Sequence, residues 1–151
     1  MSFSGRETAF SSHAVANDGF FPDIVLGEFQ QLHRIPSHYA DAAIEHQVDF
    51  ARGEINAQLV DKKAGWVADG HNALTEVDDA DGGNRHRDYL AAVYYRAKAN
   101  LLADFQTMSR RESAEDIAKE SDAMYQRLMA TSHKALRRLL GLKTSIDVEL
   151  L

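Results

Sequence analysis

The chain has 151 residues, of which 44% are hydrophobic and 26% are charged. These proportions are typical of a folded domain, and a chain of this length can bury one core without cross-links. The sequence contains no cysteine, which excludes disulfide frameworks, thiolate metal sites and thiol nucleophiles. We therefore expect a single domain that needs no cofactor.

The formal net charge is −6, which argues against nucleic-acid binding over the whole surface but leaves room for a local basic patch. No apolar run approaches the roughly 20 residues of a membrane span. Residues 1–17 show neither a basic leader nor a long apolar stretch, so we expect no signal peptide. These features predict synthesis in the cytoplasm and no membrane partner.

The first part of the chain is small and polar. Residues 1–18 have no periodicity, and we expect a mobile or draped N-terminal arm over residues 1–22. Pro22 and Asp23 favour the start of a short helix, which ends before Pro36.

The next segment has helical periodicity. A helix is predicted from about Pro36 to Asp61, with Gly53 inside it at a cost of about 1 kcal/mol relative to alanine. Its apolar stripe recurs every three or four residues and consists of Ile44, Val48, Ala51, Ile55 and Leu59.

The pattern disappears between Lys62 and Arg87, where four glycines accompany an acidic cluster. We predict a long loop here, with Trp66 and Leu74 holding part of it against the core. The acidic cluster consists of Glu76, Asp78, Asp79 and Asp81.

Two longer helices follow, separated by a polar break at residues 109–113. Ser113 and Asp116 resemble a capping box at the start of the last helix, and Gly141 is typical of its end. The first helix has an apolar face of Leu90, Val93, Tyr94, Ala97, Leu101, Phe105 and Met108. The second has a nearly heptad stripe of Ile117, Ser121, Met124, Leu128, Ser132, Ala135 and Leu139.

The sum of these elements is an all-α fold, a bundle of three to four helices over residues 23–141. The C-terminal tail, residues 142–151, ends in an alternating strand pattern that has no second strand to pair with. Ile146, Val148 and Leu150 would project from one side of this strand, and we expect that side to dock on a partner.

No motif in the chain predicts catalysis. Its histidines lack metal-binding spacings, and there is neither a nucleophile elbow nor a phosphate-binding glycine loop. A solvated polar face explains the cluster His38, Asp41, Glu45 and Asp49 better than a cation site does. The stretch Asp79–Asn84 resembles a calcium loop, but Asn84 and Leu90 occupy the positions that need glycine and glutamate. We expect no enzyme and no bound metal.

The end of the last helix is basic. Its cations are favoured by the helix dipole, by about 0.3–1 kcal/mol each. They are also suited to a surface that faces DNA phosphates or a protein partner, provided that they lie off the Leu128–Leu139 stripe. The candidate residues are Arg127, Lys134, Arg137 and Arg138.

Three motifs, in this order, resemble the phage head completion (GPL) family. The resemblance covers about residues 20–140, and its specificity lies mostly in the first and third motifs. They are Phe20-Phe21-Pro22-Asp23-Ile24, then Glu54-Ile55-Asn56-Ala57 with Leu59, then Tyr89, Ala91 and Val93-Tyr94-Tyr95-Arg96-Ala97.

The resemblance implies a connector adaptor of temperate contractile-tailed phages. Such a subunit joins below the portal protein as a ring, often of twelve copies, after DNA packaging. It stabilises the filled head, contacts packaged DNA without sequence preference, and presents a surface to a stopper or tail-completion protein. The expected location is the neck of the virion.

Two other classes compete with this interpretation. The near-heptad last helix and its basic end also suit a helical dimeric regulator or nucleic-acid-binding bundle, although no helix-turn-helix with a basic recognition helix is evident. A small metal-dependent enzyme is the third class, and it would reveal itself by bound metal.

Overall fold

The computed structural model describes residues 10–36, 39–108 and 115–143. Within these ranges the chain is mostly helical, with a small antiparallel sheet, which confirms the predicted all-α class. The helices are α1 (Leu26–Leu32), α2 (Asp41–Gln58), α3 (Val60–Ala68), α4 (Leu74–Asp81), α5 (Arg85–Met108) and α6 (Glu115–Leu139). The strands are β1 (Ala14–Val15) and β2 (Ile24–Val25).

Helix α5 lies at the centre of the fold. Its most extensive contact is with α6, where the Ser132 hydroxyl donates a hydrogen bond to the Ala92 carbonyl at 2.6 Å. Helix α2 packs against α5 through its predicted stripe, all of which is buried. The sequence periodicity therefore identified the sides of these long helices that form the core.

The stripe of α6 is buried from Leu128 onward, whereas Met124 is 45% exposed. The helix ends at Leu139, and the predicted terminal glycine, Gly141, follows it with a left-handed φ of 70°, while Leu142 N donates to the Arg137 carbonyl at 2.9 Å. The predicted cap residue Ser113 lies outside the described residues.

The predicted loop between Lys62 and Arg87 is wrong, because α3 and α4 occupy most of it. Each is short and buries one or two apolar side chains, Trp66 in α3 and Leu74 with Val77 in α4. One or two apolar residues in a helix do not produce a periodicity that can be distinguished in a mostly polar sequence. The prediction that Trp66 and Leu74 hold the segment to the core is confirmed.

The expectation that the chain contains no strand apart from its C-terminal tail is also wrong. Strand β1 pairs with β2, with Ala14 opposite Val25 and Val15 opposite Ile24. Strands of two residues are too short to show an alternating pattern.

The N-terminal segment, residues 10–23, packs closely against α1. A Cβ atom at Gly27 would collide with the backbone oxygen of Ser11. This position therefore needs glycine, because the two backbones lie too close for a side chain between them.

His33 at the end of α1 is packed among aromatic rings. Its ring centroid lies 4.9 Å from that of Tyr95, 5.4 Å from Tyr94 and 5.5 Å from Phe29. Burial, with a smaller contribution from the Lys98 charge, lowers the pKa of His33 to about 4. The fold therefore favours the neutral imidazole.

We predict that α1 loses part of its stabilisation in acid because of His33. A histidine with a lowered pKa stabilises the fold fully above its ordinary pKa near 6.5, and this contribution disappears as the pH falls toward about 4. The measurement is thermal unfolding at pH 7.5 and at pH 4.5. Between these two pH values the Tm should fall less for His33→Gln than for the unchanged chain. Equal losses in the two proteins would contradict this account.

Candidate functional site

The three sequence motifs meet at one place in the fold. The Tyr89 hydroxyl donates a hydrogen bond to Asn56 Oδ1 at 2.6 Å and accepts one from Asn17 Nδ2 at 2.8 Å. Asn56 Nδ2 donates to Asn17 Oδ1 at 2.9 Å, which closes a ring of three side chains. Asn17 Nδ2 also donates to the Pro22 carbonyl at 2.8 Å. This Asn17–Asn56–Tyr89 ring joins the N-terminal segment to α2 and α5.

Further contacts connect the same motifs. The Phe21 ring stacks on Tyr89 with centroids 4.6 Å apart and planes within 3° of parallel. Arg96 Nη1 contacts Glu54 Oε2 at 3.0 Å, and the Arg96 side chain is almost fully buried. The motif residues therefore hold the fold together, and their pattern is a signature of this fold.

Asn17 is the member of the ring that sequence reasoning missed. It lies in an aperiodic polar stretch, where nothing distinguishes a buried asparagine from a solvated one. Burial raises the pKa of the Tyr89 hydroxyl, so this group stays protonated and keeps its role as donor to Asn56.

We predict that Tyr89→Phe destabilises the fold by about 1–3 kcal/mol, because it removes the hydroxyl that donates to Asn56 Oδ1 and accepts from Asn17 Nδ2 in a partly buried network. For a chain of this size the loss corresponds to roughly 2–4 °C in Tm per kcal/mol. Tyr95→Phe is the matched control, since the Tyr95 hydroxyl has no hydrogen bond to a described residue. Calorimetry that finds equal Tm values for the two variants would rule out a stabilising role for the ring.

The four cations proposed to face DNA or a partner lie on exposed positions of α6. Arg138 Nε contacts Asp88 Oδ1 of α5 at 3.1 Å. Arg137 donates two hydrogen bonds, of 2.6 and 2.8 Å, to the carbonyl of Lys143 just beyond the helix end. Within the described residues, Arg127 and Lys134 form no ion pair.

The four cations therefore divide into two pairs. Arg137 and Arg138 stabilise the helix end and its contact with α5, whereas the side chains of Arg127 and Lys134 are exposed. The sequence could not show this division, because the Arg138–Asp88 contact joins residues 50 positions apart.

We predict opposite outcomes for two charge reversals on α6. Arg138→Glu places a carboxylate beside Asp88, whose side chain is only 10% exposed, and should cost about 1 kcal/mol, or 2–4 °C in Tm. Lys134→Glu should leave Tm unchanged, because Lys134 is exposed. Equal losses of Tm would mean that Arg138 is as free as Lys134.

Two of the remaining acidic candidates, Glu45 and Asp49, are engaged in contacts within the fold. Glu45 lies 3.0 Å from His13 Nε2, and Asp49 lies 2.7 Å from Arg52. Both acids line an open groove of about 450 Å³ between β1 and α2. His38, proposed with them, lies outside the described residues.

The acidic end of α4 positions the start of α5. Asp78 accepts hydrogen bonds from the backbone nitrogens of Arg85, at 2.9 Å, and His86, at 2.8 Å. Asp81 forms an ion pair with Arg85 at 2.6 Å. Asp78 therefore caps α5, and Asp81, within the stretch with the faint calcium-loop pattern, holds the Arg85 side chain at the start of that helix.

Among the residues that the structure describes, no three His, Asp or Glu side chains are grouped closely enough to hold a metal ion. In the same residues, no helix is both long and apolar enough to cross a bilayer. The tail residues Ile146, Val148 and Leu150 lie outside the described ranges.

The structure is thus an all-α protein whose sequence motifs come together in its interior. The family model of the phage head completion protein (GPL) matches residues 15–151. The chain belongs to this family.

A probable head completion/stabilization protein of Haemophilus phage HP1 (strain HP1c1) is 28% identical to the chain over 144 residues. The similarity covers 93% of this chain and 95% of that protein. No solved structure matches the chain.

Proposed function

We propose that the chain is a structural adaptor of the phage neck, without catalytic activity. In this role it joins the portal after DNA packaging as a ring of copies, twelve in the simplest case, stabilises the filled head and offers a surface for tail attachment. The observation that carries the proposal is the family match over residues 15–151, together with the convergence of its motifs in one connected site. The Haemophilus phage relative, a probable head completion/stabilization protein, supports the same role.

The proposed partners are the portal protein, a stopper or tail-completion protein, and other copies of the chain. Packaged DNA in the lumen would be contacted without sequence preference. The place of action is the virion neck, and synthesis takes place in the host cytoplasm.

The experiment is removal of the gene from the phage that carries it, with complementation by the unchanged chain. We predict heads that package DNA but lose it to added nuclease, together with free tails and a large drop in infectious particles. Electron microscopy and nuclease protection measure both effects. Infectious particles at normal yield, formed without the chain, would end the proposal.

The same experiment tests the alternative of a helical dimeric regulator. An adaptor acts after synthesis of the structural proteins, so capsid and tail proteins should accumulate normally without it. A severalfold fall in those proteins would favour the regulator.

The proposal assigns the C-terminal tail, residues 142–151, to docking. Ile146, Val148 and Leu150 would add as a strand to a sheet edge or lie in an apolar groove of the portal, with a stopper protein or a neighbouring copy as alternatives. A chain lacking residues 146–151 tests this assignment by complementation. Its Tm should remain nearly unchanged, whereas attachment of phage tails to the heads should fall.

A further inference from the structure

The outer side of α2 and α3 carries an unusual row of exposed apolar and small residues. Its three large members are well exposed, Phe50 by 54%, Val60 by 60% and Val67 by 50%. We call this row the α2–α3 seam; it consists of Phe50, Gly53, Ala57, Val60, Ala64 and Val67, all of them exposed.

The members of the seam alternate in steps of three and four residues, which is the spacing of a coiled-coil contact. One residue, Leu59, separates the two helices. The buried positions keep helical spacing across this junction, from Ala51 and Ile55 through Leu59 to Trp66, so the opposite, exposed side keeps its direction as well. The row therefore continues from α2 into α3.

The seam is not part of the core of its own chain. The buried side of the same helices carries Ile55, Leu59 and Trp66, and a Cβ built on Gly53 would meet no atom within 4 Å. An apolar helix face normally packs against another element. Small residues at this spacing allow a second helix to approach closely.

Acidic residues predominate beside the seam, since the flanking cation Lys63 is already paired with Asp18 at 2.8 Å. Asp49 precedes Phe50, pairs with Arg52 and keeps 56% of its side chain exposed. Asp61 follows Val60, is exposed and forms no ion pair with a described residue. A helix that covers the seam should therefore bring positive charge.

Helix α6 offers such a face on the side away from α5. We call the exposed row on this side the outer seam of α6. Its members are alternately four and three residues apart, which is again the spacing of a helix contact. The outer seam consists of Ala123, Arg127, Ala130, Lys134 and Arg137, all exposed.

We propose that the α2–α3 seam of one copy receives the outer seam of α6 from the next copy. The aliphatic stem of Arg127 would cover Val60 and that of Lys134 would cover Phe50, while their charged ends reach Asp61 and Asp49, respectively. Two different surfaces that meet in this way form a head-to-tail contact, which a closed ring requires. The inference rests on the proposed function, because the neck ring supplies the next copy.

Charge decides against the simpler pairings. Two α2–α3 seams face to face would bring Asp49 and Asp61 of both copies together, and two outer seams of α6 would oppose their cations. DNA would suit Arg127 and Lys134 but would leave Phe50, Val60 and Val67 in water. The head-to-tail contact satisfies both surfaces at once.

The absence of cysteine from the chain makes the contact testable by disulfide cross-linking. The full chain carrying both Ala57→Cys and Ala130→Cys should form a ladder of multimers on mild oxidation, at high concentration and in assembled particles. Mixing the two single variants should give one heterodimer. The matched control combines Ala130→Cys with Ala80→Cys, an exposed alanine of α4, and should yield at least tenfold less product.

A charge swap tests the same contact without cysteine chemistry at the seam centre. Lys134→Glu in the double-cysteine chain should reduce the ladder about tenfold, and adding Asp49→Lys, at the acid beside Phe50, should restore it. A dimer from Ala57→Cys alone would show a two-fold contact and overturn the proposal. A ladder unaffected by Lys134→Glu, in particles that now leak DNA, would assign Lys134 to DNA and overturn it as well.

Failure of the inference and failure of the proposed function are distinguishable. If particles contain the chain but show no cross-link, the seams do not pair and the adaptor role stands. If the purified chain forms the ladder but is absent from particles, the seams pair and the adaptor role fails.

Discussion

Helix α5 is the element on which the other helices depend, because it is contacted on most of its circumference. Helix α6 packs along one side of it, α2 along another, and α1 reaches it through Phe29, whose ring lies 5.3 Å from that of Tyr94. All residues of α5 from Asp88 to Leu101 are buried or half-buried, and burial of apolar surface is the main stabilising contribution to a fold. The start of α5 is accordingly well fixed, with Asp78 capping its first backbone nitrogens.

The polar residues of the interior are arranged around this helix. Tyr89, Asp88 and Arg96 all belong to α5, and each finds its partner on a different element of the chain. A buried polar group is costly unless it is paired. These pairings therefore specify one arrangement of the helices, whereas apolar burial alone would tolerate several.

The charged residues of the surface have two kinds of surroundings. Arg137 and Arg138 complete the end of α6, and Asp78 and Asp81 hold the start of α5. Cations and acids without a structural task lie next to exposed apolar residues on α2, α3 and α6. Flanking charge of this kind limits uncontrolled association of an apolar row.

The sequence predicts the long helices well, because each has five or more apolar positions in register. Helix α3 escapes detection for a physical reason. Val60 and Val67 face solvent, so the apolar period of the segment does not coincide with its buried side. Strands of two residues carry no period at all.

The interior contacts are predicted unevenly. The motifs named Asn56 and Tyr89 as characteristic but could not show that they touch, since 33 residues separate them. The aperiodic sequence around Asn17 did not indicate that this residue contacts Asn56 and Tyr89. The roles of Arg137 and Arg138 depend on atoms of another helix and of the chain end, which spacing along one helix does not reveal.

The Asn17–Asn56–Tyr89 ring also has a consequence for the order of folding. Asn17 and Tyr89 are 72 residues apart in the chain, and the ring that joins them to Asn56 closes only when α2 and α5 lie side by side. Contacts that join three separate segments form late, because the entropy of chain closure must be overcome before they contribute. The N-terminal segment therefore closes over a helical unit that is already assembled. By the same reasoning it is the part that opens most readily, and its departure would uncover the ring of Tyr89 while α5 and α6 remain packed.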